Sequence, residues 1–205
     1  VSYTGTGANA TVGHGLSVAP NMTWIKPRNF ADNWIVTYDS VDGSDDQIYL
    51  NLTNAGGSPA TQYAVAQNAT TLGLTSWNNV NDANDTYIAY CFHSVDGYSK
   101  VGSYTGNGST DGTFVHCGFR PAFVLIKNIN VTQNWQIFDN KRDAYNAVGR
   151  YIIPNTSAAE GGANGLPIDF LSNGFKPRHS GSYINNNTLI YIAFAESPFK
   201  HTNAR

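Results

Sequence analysis

The groups able to do chemistry in this chain are few. Glutamate occurs only at Glu160 and Glu196. A glycosidase needs two carboxylates flanking the scissile bond. Glu196 follows a core-like strand, Glu160 ends a loop, and the aspartates are scattered over turns, where Asp is a good turn former. The five histidines, His14, His93, His116, His179 and His201, sit in unrelated contexts, and no Gly-x-Ser-x-Gly elbow accompanies them. With neither a carboxylate pair nor a nucleophilic triad, the chain reads as non-enzymatic.

Ligand sites have weak candidates. Asp42-Gly-Ser-Asp45-Asp46, close behind Asp39, offers hard oxygen ligands of the kind calcium prefers. It lacks EF-hand spacing, and a solvated turn is the plainer reading. Calcium at Asp42, Asp45 and Asp46 is the only cofactor the residues suggest. Cys91 and Cys117 lack the spacing of a zinc site. A disulfide between them would close a loop of about 26 residues and contribute about 3 kcal/mol. Cys91 lies in a buried-strand pattern, Tyr87-Ile-Ala-Tyr-Cys-Phe92, which favours free, buried thiols.

Among the aromatics, Trp34 and Trp135 occupy equivalent places and read as core anchors, and Trp24 lies in an apolar strand. Trp77 differs, because Ser76-Trp77-Asn78-Asn79 is a polar stretch. There an indole covers the core beneath the loop, or it stacks on a sugar ring while the amides of Asn78 and Asn79 bond hydroxyls. Sequons start at Asn9, Asn21, Asn51, Asn68, Asn84, Asn107, Asn130, Asn155 and Asn186. They are glycan acceptors in a secreted protein, or simply the record of a polar β surface.

What must position these residues is a sheet. Ser, Thr, Asn and Gly supply 77 of the 205 residues, charged residues 13% and aromatics 13%. The charged share is about half the usual one. Polar uncharged residues with Tyr, Thr, Val and Ile suit a pleated, half-solvated surface. A net charge of −2 with no cationic cluster beyond Lys141-Arg142 argues against nucleic acid as a partner. No apolar run approaches 18 residues, which argues against insertion in a membrane as a helix. No signal-peptide pattern opens the chain; with Val first and its sole Met internal, it reads as a processed form or an excised part of a longer protein.

The chain also repeats itself. Ser2-Tyr3-Thr4-Gly5-Thr6-Gly7 recurs as Ser103-Tyr104-Thr105-Gly106-Asn107-Gly108, and Ile25-Lys26 and Asn33-Trp34 recur as Ile126-Lys127 and Asn134-Trp135. Tyr87-Ile-Ala-Tyr90 is aligned with Tyr191-Ile-Ala-Phe194. Strands are predicted near 11–18, 22–27, 33–39, 47–53, 62–66, 71–75 and 86–94. In the second half they are predicted near 113–118, 122–128, 133–139, 148–153, 168–171 and 188–195. The strands at 122–128 and 188–195 are apolar on both faces and should be central. Asn173-Gly174 marks a tight hairpin, and only Asn155–Glu160 suggests a helical turn. The expected architecture is all-β: two tandem antiparallel β-sandwich repeats, residues 1–100 and 101–205, packed closely together.

Several longer strings carry a resemblance: Thr6-Gly-Ala-Asn-Ala-Thr-Val-Gly-His-Gly15, Gly97-Tyr-Ser-Lys-Val-Gly-Ser-Tyr-Thr-Gly-Asn-Gly108, Gly118-Phe-Arg-Pro-Ala-Phe-Val-Leu-Ile-Lys127, Asp169-Phe-Leu-Ser-Asn-Gly-Phe-Lys176 and Ala193-Phe-Ala-Glu-Ser-Pro-Phe-Lys200. Over nearly the whole chain these resemble a repeat-containing C-terminal domain of tail-fibre and structural proteins of tailed bacteriophages, marine ones especially, often found with lectin-like modules. The resemblance implies a place on the virion surface and a role in host attachment. The partners it implies are other virion proteins and a host-surface glycan or protein. It implies a homo-oligomer, trimeric by analogy, although no heptad enforces one. It transfers no catalytic motif. Two other readings stand beside attachment: a capsid decoration or structural subunit, and a secreted, glycosylated cell-surface or filament protein.

Overall fold

The computed structural model describes residues 1–39, 45–56, 67–162 and 164–198. Its regular secondary structure is almost entirely antiparallel β-strand, and the chain divides into two compact units, Val1–His93 and Ser94–Arg205. The expected boundary after residue 100 falls inside a strand of the second unit.

The first unit contains β1 (Ser2–Thr4), β2 (Ala10–Gly13), β3 (Met22–Pro27), β4 (Ile35–Asp39), β5 (Asp45–Tyr49), β6 (Thr71–Leu74), a single helical turn α1 (Asn78–Asn81) and β7 (Thr86–Phe92). Five of the strands form one sheet in the order β1-β7-β3-β4-β5, and β2 pairs with β6. Period-2 alternation aims Ile25 and Ala89, which face each other across β3 and β7, into the same core. There they meet Ile35, Tyr87, Leu72 and Leu74, with Val80 of α1 closing one end.

The second unit contains β8 (Ser99–Asn107), β9 (Val115–His116), β10 (Pro121–Asn128), β11 (Gln136–Asp139), β12 (Ile168–Leu171), β13 (Gly174–Pro177) and β14 (Asn186–Ala195). One sheet runs β11-β10-β14-β8 and a smaller one β12-β13-β9. The two apolar strands are indeed the inner pair, β10 and β14. Val124, Ile126 and Tyr191 from the larger sheet and Val115, Phe170 and Phe175 from the smaller share one core. Each buried Phe contributes about 1.5–3 kcal/mol through the apolar surface it removes from water.

The pairing registers of the two units correspond. Met22 faces Phe92 across β3 and β7, and Phe123 faces Phe194 across β10 and β14. Tyr3 faces Tyr87, and Tyr104 faces Leu189. This register matches Tyr87 with Leu189 rather than with Tyr191, correcting the alignment of that strand by two residues. Both strands contain Tyr-Ile-Ala, a local identity that favours an offset the pairing register overrules.

Other expectations shift for physical reasons. Residues 148–153 form only isolated bridges, Val148 to Ile168 and Ile152 to Ile137. The intervening amides of Gly149 and Arg150 donate instead to the Asp143 carboxylate, which removes them from a ladder. Asn155–Glu160 is not helical; among the described residues the helical turn is α1. The hairpin joins β12 and β13 through Ser172 and Asn173, with Gly174 already in the ladder. The strand expected at 62–66 lies outside the described residues.

Candidate functional site

The repeated Ser-Tyr-Thr-Gly-x-Gly string is an anchor for the fold. Tyr3 Oη donates to the Val80 carbonyl at 2.6 Å, and Tyr104 Oη donates to the Ile184 carbonyl at 2.5 Å. A Cβ on Gly5 would lie 2.0 Å from the Asp82 carbonyl oxygen, and one on Gly106 would lie 2.1 Å from the Asn185 carbonyl carbon. Gly7 and Gly108 follow at φ +70° and +66°, where a side chain is strained. Their amides donate to the carbonyls of Asn81 and Asn185 at 2.9 and 2.7 Å.

Asparagine brackets complete each unit. Trp34 N donates to Asn51 Oδ1 at 2.9 Å while Asn51 Nδ2 donates to Asn33 Oδ1. Trp135 N donates to Asn155 Oδ1 at 3.0 Å while Asn155 Nδ2 donates to Asn134 Oδ1. Asn29 and Asn130 accept from the amides of Thr86 and Thr188. Asn81 and Asn185, both buried, each bond the turn that follows the anchor string. The sequon asparagines Asn51, Asn68, Asn107, Asn130 and Asn155 are all committed to such bonds. Trp135 is fully buried, as a core anchor should be; Trp34 is half-buried and stacks on Tyr90.

The residues singled out for ligands divide. Trp77 is half-buried and packs against the first unit's core. Its carbonyl accepts from Val80 and Asn81 to form α1. Asn78 is exposed, and its carbonyl accepts from Tyr87 Oη; Asn79 is half-buried. In the second unit the amide of Asn185 donates to Gly181 in the way that of Asn81 donates to Trp77, so this indole has no counterpart. Asp42 lies outside the described residues. Asp45 and Asp46 belong to β5, opposite Asp39 and Tyr38. Among the described residues no three His, Cys, Asp or Glu side chains gather as a metal site.

Sequence reasoning missed the most exposed aromatic of the described residues. Tyr145 is 87% exposed, and the loop around it is held from several directions. Asp139 Oδ1 accepts from the amides of Lys141 and Arg142. Asp143 Oδ2 accepts from Gly149 and Arg150, closing the loop behind Tyr145. Asn146 bonds both backbone groups of Phe170, and Val148 bridges to Ile168. Outside this frame Arg142 pairs with Asp139 and Glu160, and Arg150 pairs with Asp143 and Glu160. Burial pushes the Asp143 carboxyl up, but the Arg150 and Gly149 amides and the Arg150 charge outweigh it, leaving the group below its usual value. The signal available in the sequence was Tyr145 itself, an aromatic flanked by Ala and Asn with no apolar alternation around it.

Other chemically distinctive groups are structural. Lys127 is fully buried and donates to the Gln133 carbonyl at 2.6 Å; desolvation lowers its pKa to about 8. Cys91 and Cys117 are free thiols, and burial pushes Cys117 up to about 12. His14 and His179 accept amide bonds within their own turns.

Fold and site together define an all-β chain of antiparallel sheets, closed by tyrosine and asparagine brackets and presenting one braced aromatic loop. The chain belongs to the family described as a domain of unknown function (DUF7483), whose model matches residues 1–198. No curated protein and no solved structure matches it.

Proposed function

We propose that the chain is a non-enzymatic recognition module on the outside of a tailed-phage particle, built of two copies of one sandwich unit and used in host attachment. The observation that carries this reading is Tyr145, a large aromatic left in water on a loop fixed by backbone and side-chain bonds. Folding alone does not require such an arrangement. An aromatic ring held in advance costs little ordering entropy when it meets a partner. The resemblance to tail-fibre domains supports a virion location. The asparagine brackets favour reading the sequons as parts of the fold, which sets the glycosylated cell-surface alternative behind.

The test is adsorption. The fluorescently labelled chain is expected to coat susceptible host cells, to leave resistant mutants lacking the surface receptor bare, and to slow adsorption of the parent phage. Cryo-EM of the particle should find the chain at a fibre tip. Density on the capsid shell, with no cell binding, would replace attachment by the decoration reading.

A further inference from the structure

We infer that the Tyr145 loop is a saccharide-contacting site whose ligand is an uncharged sugar ring laid against the phenol face. The inference rests on the attachment reading and names the ligand class of that site.

The exposure is the starting point. The next most exposed large apolar or aromatic side chains among the described residues, Val18 and Tyr90, stand at 44%, half the value for Tyr145. Tyr145 lies between two hydrogen-bonded residues, Asp143 and Asn146, so the backbone beneath the ring is set before any ligand arrives. A ring in that state offers a flat apolar face, which suits the C–H face of a pyranose, and a hydroxyl at its edge.

The surrounding polar groups decide the class. Arg142 and Arg150 carry two positive charges among the three carboxylates of Asp139, Asp143 and Glu160, and every one of these groups is in an ion pair. With Lys141, which lies exposed in the same loop, three cations balance three carboxylates, so the rim has no net charge to attract an acidic sugar. An uncharged sugar needs no such attraction. The Arg150 side chain, 48% exposed, retains N–H donors beyond its two ion-pair contacts and can donate to hydroxyls. Because the ring projects rather than lining a cleft, the geometry suits a polysaccharide strand lying across the surface better than a small molecule that must be enclosed.

The experiment uses the purified full chain on an array of neutral and acidic oligosaccharides, with Tyr145→Ala and Tyr145→Phe beside it. Binding is expected on neutral, hexose-rich members. Tyr145→Ala should weaken it about tenfold, while Tyr145→Phe should stay within about threefold. Since the ring makes no core contribution, thermal melting of both variants should match the parent. Binding confined to acidic members would overturn the ligand class, and neutral binding unchanged in Tyr145→Ala would overturn the site. A blank array beside positive adsorption to host cells would remove the saccharide and leave attachment standing. A blank array beside bare cells would remove both.

Discussion

Asn146 grips Phe170 by both of its backbone groups: its Nδ2 donates to the Phe170 carbonyl at 3.0 Å, and its Oδ1 accepts the Phe170 amide at 2.9 Å. Strand β12 is thereby tied to the loop that carries Tyr145. Replacing Asn146 by Ala removes two hydrogen bonds and should cost about 1–3 kcal/mol. In hydrogen-exchange mass spectrometry the amides of residues 143–149 should exchange faster, while β10 and β14 keep their protection. Equal protection of the loop in the variant would show that the remaining bonds suffice.

The brackets at Trp34 and Trp135 give a paired test. Asn51→Ala and Asn155→Ala each leave a tryptophan amide without its acceptor. The loss should be greater for Asn155, about 1–3 kcal/mol, because Trp135 is fully buried and water cannot replace the amide oxygen there. Trp34 is half-exposed, so a solvent molecule can substitute. The exchange rates of the two tryptophan amides, measured by NMR, should separate accordingly.

Lys127 gives the stability a dependence on alkaline pH. Its value in the folded chain, about 8, lies below the ordinary 10.5 because burial disfavours the charged form. Between those two values the unfolded chain binds more protons than the folded one, so stability rises with pH. The gain is complete above the unfolded value and is lost as pH falls towards 8. The slope should approach about 1.4 kcal/mol per pH unit. Urea titrations of Lys127→Met between pH 8 and 10.5 should lack that component.

Asp143 acts in the opposite direction. Its carboxyl is held below the usual value, so its contribution is present above the unfolded value and lost as pH falls through the folded one. Asp143→Asn should flatten the acid limb of stability and loosen the same loop amides that Asn146→Ala loosens. An unchanged acid limb would assign that limb to other carboxylates.

Cys117 should be inert in the folded chain. With its thiol pushed up to about 12, the thiolate fraction at pH 8 is about one part in ten thousand. A thiol reagent should titrate it only after denaturation. Fast labelling of Cys117 under native conditions would mean that the β9 region opens readily.

Much of the fold was legible because its strongest strands obey simple patterns. Residues 121–128 and 186–195 are long, β-branched and aromatic on both faces, and they proved to be the inner pair. β8 was harder to see. Its nine residues bury Ser99, Val101 and Tyr104 among Gly, Ser and Thr, too few apolar positions for a clear alternation. α1 was invisible because Asn is a poor helix former and the turn is held by the Trp77 carbonyl. The repeated anchor string was visible as a pattern, but its purpose emerges only when Tyr3 and Tyr104 are seen reaching carbonyls some 80 residues along the chain. Tyr145 is marked only by the lack of apolar alternation around it, a weak signal, because exposure is decided by what the rest of the chain leaves uncovered.

The Asn107-Gly108 step bears on chemical ageing. An asparagine followed by glycine ordinarily loses its amide when the next backbone nitrogen attacks the side-chain carbon. Here the Gly108 nitrogen donates to the Asn185 carbonyl at 2.7 Å, and the Asn107 side chain accepts from Asn185 Nδ2 and from the Ser109 amide. The nucleophile and its target are each engaged by the contacts that close the unit, so this Asn-Gly step is protected for as long as the fold persists.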